Sequence, residues 1–258
     1  APIPFRRSPS TTHGSTRTRS SRGHAQAHRH IVRPGAYGVA VVGPSALPVP
    51  RKGAGPYAFD NAVRRAGFPL VAGLDEAGRG ACAGPLYAAA VVLAPHTRIS
   101  ELADSKLLTP AARERVEERV KRLAVAWAVA AIDVAELDEI GLHRANLVAF
   151  RRAWQRLPVR PDYALCDGFV PGGLGRPQLA VWKGDMVSAT IAAASVLAKC
   201  ARDREMVALH ERHPEYGFDV HKGYTTSAHR DALAQFGPSP VHRHRFITVR
   251  RAIREGAA

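Results

Sequence analysis

The chain has 258 residues, enough for one substantial core or one core with appendages. A hydrophobic share of 46% with 23% charged residues is ordinary for a globular protein, and no apolar run is long enough to cross a bilayer. The formal net charge of +15 points to polyanionic partners, although nine of the basic residues fall in an acid-free stretch before Asp60 and their removal leaves only +6.

Residues 1–55 are rich in Ser, Thr, Arg, His, Gly and Pro, with one short apolar patch at residues 37–42. They read as a basic disordered extension, because such a segment has little to bury against the entropy of ordering. It lacks the apolar stretch of a secretory signal. A dispensable extension is favoured over a nucleic-acid tether or a transit peptide. The folded part is expected over residues 56–250, with a short C-terminal tail at 251–258. Residues 70–74 form an apolar run ending at Asp75, and residues 87–93 form a second, stopped by Pro95. Thr109 and Pro110 open a helix as cap and first-turn proline, with Ala112, Val116, Val120 and Leu123 at helical spacing. Residues 124–132 read as a buried strand. Residues 143–157 form a helix with Leu147, Phe150, Trp154 and Leu157 on one face. Short strands follow at 163–166, ending at Asp167, and at 179–182, followed by Lys183-Gly184-Asp185. The long helix predicted at 189–210 is apolar almost all round in its first half, so that end should be buried. A last helix at 227–236 stops at Gly237 and Pro238. The order of elements predicts a mixed sheet flanked by helices. The linker 168–178 is short for a parallel crossover, which leaves the last strand's direction open.

Cys82, Cys166 and Cys200 are odd in number and show no Cys-x-x-Cys spacing. Neither a disulfide framework nor a zinc site is expected, and a reducing, cytoplasmic setting fits. The pairs His210/His213 and His242/His244 lack a local third ligand.

Acidic residues recur at equivalent places: Asp75 after the first apolar strand, Asp167 after the fourth, Asp185 just beyond the fifth. Ligands of sheets with parallel strands gather beyond the carboxyl ends of those strands. Glu76 neighbours Asp75, and the two can share a site only if the strand ends there, which Gly78 and Gly80 would allow. Clustered carboxylates raise one another's pKa, and a hard divalent cation removes the conflict. Two such ions can clamp a phosphodiester, one activating a water and one stabilising the leaving 3′-oxygen. Residue chemistry alone thus suggests metal-dependent phosphoryl transfer or hydrolysis.

Six ordered blocks go further. They are Val71-Ala72-Gly73-Leu74-Asp75-Glu76-Ala77-Gly78-Arg79-Gly80, Asp104-Ser105-Lys106, Asp167-Gly168, Lys183-Gly184-Asp185, the run Ala192 to Lys199 with Arg202-Asp203, and His221-Lys222-Gly223-Tyr224-Thr225. Together they resemble the ribonuclease HII family, in its bacterial form, over about residues 68 to 249. The resemblance implies an α/β ribonuclease H-like fold, with a central five-stranded mixed sheet flanked by helices and a C-terminal helical part. It implies two Mg²⁺ or Mn²⁺ ions and a monomeric endonuclease cutting RNA–DNA hybrids and DNA with embedded ribonucleotides, leaving 5′-phosphate and 3′-hydroxyl ends. Carried over by position, Asp75, Glu76, Asp167 and Asp185 would be catalytic metal ligands. Gly78, Arg79 and Gly80 would read the ribose, whose 2′-hydroxyl separates RNA from DNA. Tyr224 would pack on the neighbouring deoxyribose. Lys106, Lys183 and Lys222 are candidate phosphate contacts. Asp203 reads as structural, pairing with a nearby base.

The chain departs from the family pattern in its long basic N-terminus and in Ala81-Cys82-Ala83, where many members carry a proline. Arg79 separates it from the sister type HIII. The alternatives are a DNA-only nuclease on the same fold, which would ignore ribonucleotides, and a non-catalytic hybrid-binding module, which would not need the acids.

Overall fold

A computed structural model describes residues 39–42, 55–102 and 108–256. The strands are β1 (Val39–Val42), β2 (Val71–Ala77), β3 (Leu86–Val92), β4 (Ala126–Ile132), β5 (Tyr163–Asp167) and β6 (Gln178–Val181). The helices are α1 (Ala58–Arg65), α2 (Pro110–Leu123), α3 (Val134–Ile140), α4 (Leu142–Gln155), α5 (Ala189–Arg212), α6 (Phe218–His221), α7 (Ser227–Phe236) and α8 (Ile247–Gly256).

Strands β2 to β6 make the expected mixed sheet. β5 runs parallel to β2 and β6, while β3 and β4 continue antiparallel from β2. A sixth strand joins the edge, giving the order β1-β6-β5-β2-β3-β4. It comes from the stretch read as disordered. Val39-Ala40-Val41-Val42 is β-prone, and it pairs antiparallel with the open side of β6, which supplies the hydrogen-bond partners a lone tetrapeptide lacks. The rest of residues 1–54 lies outside the described residues. The short linker does make a parallel crossover. It carries left-handed glycines at 168, 172, 173 and 175, and Arg151 donates to the carbonyls of Pro171 and Gly172 at 2.5 and 3.1 Å. At the other end, α8 continues through residues expected to be a tail, with Val249 fully buried.

Two cores sandwich the sheet. On one face Leu74, Ala88 and Ala130 meet Ala149, Phe150 and Trp154 of α4. On the other, Ala89 and Val91 meet Val116 and Val120 of α2 and Ala193 and Val196 of α5. The α2 N-terminus is capped as its sequence suggests, Thr109 Oγ1 accepting from Ala112 N–H at 3.3 Å. Helix α5 is enclosed from Ala189 to Ala198. Its first N–H groups go to Ser188 Oγ and to both carboxylate oxygens of Asp60, which accept from Ala189 and Thr190 at 3.0 and 3.1 Å. Asp60 thereby ties α1 to the start of α5.

The close approach of α5 to β2 is what places the site. A Cβ on Gly73 would lie 2.1 Å from the carbonyl carbon of Thr190, so strand and helix touch backbone to backbone. Asp75 is two residues beyond Gly73 on the same strand face, roughly 6.6 Å along. Ser195 is one helical turn beyond Ile191, about 6 Å along. The two advances nearly match, and Ser195 arrives beside Asp75, whose carboxyl it hydrogen-bonds. Gly73→Ala should therefore destabilise the fold by at least the ~1–3 kcal/mol of an overpacked core, because the obstructing atoms are backbone. Urea unfolding of the variant against the parent measures this.

Candidate active site

Asp75 and Glu76 both reach one cleft although β2 does not end between them. Antiparallel pairing with β3 continues through Asp75–Ala89, Glu76–Ala88 and Ala77–Tyr87, whereas parallel pairing with β5 stops at Leu74–Cys166. The strand is thus open on its β5 side where the acids stand. That one-sided parting of the ladder does what a strand end was expected to do. Asp75 Oδ1 accepts the Glu76 N–H at 2.7 Å.

Asp167 closes β5 and is half-buried. Its Oδ1 accepts from Gly184 N–H at 2.7 Å. Lys183 makes this possible by turning left-handed (φ 53°), a conformation side chains seldom adopt, and Gly184 begins the short 3-10 turn that carries buried Asp185. The cleft, about 530 Å³, is lined by Asp75, Glu76 and Asp167 on one side and by Gly78, Arg79, Gly80 and Tyr224 on the other. Asp185 sits behind the lining, near enough for its charge to act on Asp75.

Asp75 is 3% exposed. Burial pushes its carboxyl well above the usual carboxylate range, and the negative charges of Glu76, Asp167 and Asp185 add to the rise, while the Ser195 hydrogen bond opposes it. All four predicted acids therefore converge electrostatically.

The glycine-rich turn is held from below. Gly78 has φ +90°, and a Cβ there would strike Arg202 Nε at 1.8 Å. Fully buried Arg202 donates to the carbonyls of Ala83 and Pro85, each at 3.1 Å. Fully buried Arg243 donates to Gly84 O at 2.9 Å and to Arg79 O at 3.3 Å. Burial lowers the pKa of both guanidinium groups, Arg243 to about 9. Across the cleft, the Arg79 guanidinium lies over the Phe169 ring at 4.5 Å.

The predicted lysines fare differently. Lys183 is exposed and Lys222 donates to Asp219 O at 2.6 Å; neither lines the cleft. Lys106, with Asp104 and Ser105, lies outside the described residues. Besides Arg79, the cations that line it are Lys199 and Arg113, and these two bind Asp203, at 2.7 and 3.1 Å. Lys199 stands in a quoted motif but carried no signal of its own among thirty-seven basic residues. Ser195, Phe169 and Arg243 were likewise unmarked, since only the folded backbone brings them to the turn and the acids.

The donor set suits a hard divalent cation: it is carboxylate oxygen, gathered around a buried carboxyl whose ionisation the neighbouring negative charges oppose. Among the described residues no group of three or more His, Cys, Asp and Glu side chains is set closely enough to hold a metal ion by itself. An open set fits the Mg²⁺ habit of keeping waters and taking phosphate oxygens from substrate.

The ribonuclease HII family model matches residues 72–249. This chain belongs to the ribonuclease HII family. A ribonuclease HII from Nocardioides sp. is 54% identical over 204 residues, 78% of this chain and 85% of the relative. One from Salinispora tropica is 56% identical over 203 residues, 78% of this chain and 75% of the relative. The crystal structure of ribonuclease H2 from Pyrococcus horikoshii superposes with a TM-score of 0.62 at 26% identity, covering 73% of this chain and 98% of that one. Ribonuclease H enzymes depend on divalent metal, in keeping with the donor set.

The raised Asp75 pKa has a stability consequence. A carboxyl held above its unfolded value favours folding while protonated, and that contribution is lost as pH rises through the folded value. In chelator at neutral pH, Asp75→Asn should melt higher than the parent by at least about 2 °C, the shift that ~1 kcal/mol gives in a domain of this size. The gap should close as pH falls towards the unfolded carboxylate's range. Thermal melts across pH in EDTA check both points.

Proposed function

We propose that this ribonuclease HII hydrolyses the RNA strand of RNA–DNA hybrids and also nicks duplex DNA on the 5′ side of a single embedded ribonucleotide. The observation that carries the reading is the shared cleft, where the carboxylates Asp75, Glu76 and Asp167 face the Gly78-Arg79-Gly80 turn and Tyr224. Chemistry on a phosphodiester is thereby set beside a surface able to inspect the adjoining sugar.

Asp75, Glu76, Asp167 and Asp185 would hold two divalent ions, Mg²⁺ or Mn²⁺. When bound, such ions neutralise the reacting phosphate and supply an activated water. The water oxygen bonds to phosphorus as the P–O3′ bond breaks in line, and the departing oxygen takes a proton. The ends are then a 5′-phosphate and a 3′-hydroxyl.

The chain's own residues do the positioning. Gly80 presents backbone without a side chain beside Tyr224, and Gly78 lets the turn close over Arg202, so a ribose could lie against the turn and have its 2′-hydroxyl tested. Arg79, steadied on Phe169, would face the phosphate or sugar at the junction. The Tyr224 ring, 39% exposed, offers a flat face to the neighbouring deoxyribose. Its Cε1 is 3.8 Å from where a Gly80 Cβ would be, so the two sugar-reading elements are adjacent. Lys199 and Arg113 replace Lys183 and Lys222 as the cations best placed for backbone phosphates. Every lining residue named above comes from one chain, which supports a monomer. Among the described residues no helix is long and apolar enough to cross a membrane.

A DNA duplex carrying one ribonucleotide tests the proposal. With Mg²⁺ or Mn²⁺ we expect a single nick 5′ to that residue, abolished by chelator. Asp75→Asn should reduce cleavage by roughly 10³-fold or more, as loss of a metal-dependent transition-state interaction does, yet leave hybrid binding largely intact. An uncut duplex rejects the ribonucleotide reading, and an active Asp75→Asn enzyme rejects the site.

A further inference from the structure

Beyond α5 the chain folds around a row of rings that belongs to no part of the carboxylate site. Tyr216 stacks on Phe218 at 5.4 Å, and His242 meets Tyr216 edge-on at 4.7 Å. His221 stacks on His229 at 4.3 Å with planes 12° apart. His229 and His242 are fully buried.

The partners of these two rings dictate where their protons sit. Ser239 N–H points at His242 Nδ1 from 2.9 Å, and a backbone N–H can only donate, so Nδ1 is bare. A neutral ring then carries its proton on Nε2, which stands 3.0 Å from His229 Nε2. That nitrogen must accept, leaving the His229 proton on Nδ1, 3.0 Å from the carbonyl oxygen of Tyr224. Starting from the Tyr224 carbonyl, which can only accept, leads to the same assignment. One proton order satisfies every contact, the Cys82 thiol that lies 3.6 Å from His229 Nδ1 donating to Gly223 O at 3.5 Å. A further proton on His229 would set two N–H groups face to face, and one on His242 would confront the Ser239 N–H. Burial keeps both rings neutral, holding His229 down to about 4 and His242 to about 3.

The relay ends on the motif that carries Tyr224. His221 secures the same turn from its other side, Nδ1 accepting from Gly223 N–H at 3.1 Å and Nε2 donating to Tyr216 O at 2.6 Å. Gly223 O in turn accepts from the backbone N–H of Cys82, just past the glycine-rich turn, at 2.9 Å.

We propose that His229 and His242 are positioning residues for substrate selection: the ordered chain Ser239–His242–His229 fixes the Tyr224 backbone and so sets its ring against Gly80 at a DNA–RNA junction. The inference rests on the proposed role of Tyr224. It assigns the histidines no part in bond cleavage, because the chain of contacts reaches the tyrosine carbonyl and none of the carboxylates. A continuous hybrid offers a 2′-hydroxyl at every step, whereas a duplex with one ribonucleotide offers a single junction. Loosening Tyr224 must therefore cost more on the second substrate.

Two measurements on the full chain test this. Long-range ¹H–¹⁵N spectra of the parent at neutral pH should show His229 protonated on Nδ1 and His242 on Nε2, both uncharged. The opposite tautomer or a cationic ring at either position overturns the relay. Replacing His229 with Leu leaves the Tyr224 carbonyl without its donor. His229→Leu should lose roughly tenfold or more in kcat/KM on the one-ribonucleotide duplex, the scale of an unsatisfied buried polar group, with a clearly smaller loss on continuous hybrid. His229→Asn, whose amide N–H reaches nearly the place of Nδ1, should restore the ratio between substrates. Equal losses on both substrates, or none, overturn the inference while leaving the proposed function standing. A parent that leaves the one-ribonucleotide duplex intact overturns the function, and this inference with it. If His229→Leu does not fold, the parent's tautomer spectrum decides.

Discussion

Negative charge gathered around one buried carboxyl is the constraint to which the rest of the structure answers. Asp75 is enclosed, and Glu76, Asp167 and Asp185 all raise the cost of ionising it. Nothing in that arrangement favours folding by itself. It persists because the surrounding backbone leaves the acids no way to separate. Gly73 brings β2 against the first turn of α5, the Gly184 N–H pins Asp167, and Asp60 accepts from the first N–H groups of the buried N-terminal end of α5. Each device uses backbone, so the acids are held by elements that side-chain rearrangement cannot relax. Such frustration at one point, supported everywhere around it, is how a site for a cation is kept ready.

The sugar-facing side is built with the opposite charge and the same logic. Arg202 and Arg243 are buried without a carboxylate at hydrogen-bond distance in the contacts they make with the turn. They spend their donors on main-chain carbonyls between Arg79 and Pro85. Desolvation weakens their hold on the proton, but both remain cations near neutral pH, and charge-assisted bonds to carbonyls are strong ones. The glycine-rich turn is thereby held from beneath by both guanidinium groups while it lines the cleft. Arg202 also lies 5.4 Å from the Tyr224 ring, so one guanidinium underlies both elements of the proposed sugar reading.

Legibility in the sequence followed the range of the interaction. Local signals held: the Thr109-Pro110 start of α2, the enclosed first half of α5, and strands leading to Asp75 and Asp167. Non-local pairing did not show. Glu76 shares the cleft because β5 leaves β2 while β3 stays, and no pattern within one strand reveals which neighbour departs first. Strand β1 was hidden because its apolar tetrapeptide gains meaning only from the open edge of β6, more than a hundred residues away. Lys183 and Lys222 drew attention as members of motifs, yet both serve those motifs through left-handed backbone rather than through their ammonium groups in the cleft. Lys199 is the one that helical spacing from Ser195 carries to the site.

Division of labour explains why the C-terminal part is attached to the sheet where it is. The sheet and α5 can gather acids without help from residues beyond His213, since every predicted ligand comes from β2, β5 or the turn after β6. The proposed discrimination between sugars needs a second surface in the same cleft as the acids. The segment from Tyr216 to Val249 carries Tyr224 to that cleft, and it is joined to the rest of the chain at several places: Gly223 and Arg243 grip residues 82 to 84, the backbone N–H groups of His244 and Arg245 donate to Asp138, and Met206 and Leu209 of α5 extend into its core. A Cβ on Gly223 would meet the Ala83 carbonyl at 2.5 Å, so this joint, like the one at Gly73, is backbone on backbone. Two glycine contacts, one for each half, thus hold backbone to backbone the elements that carry Asp75 and Tyr224.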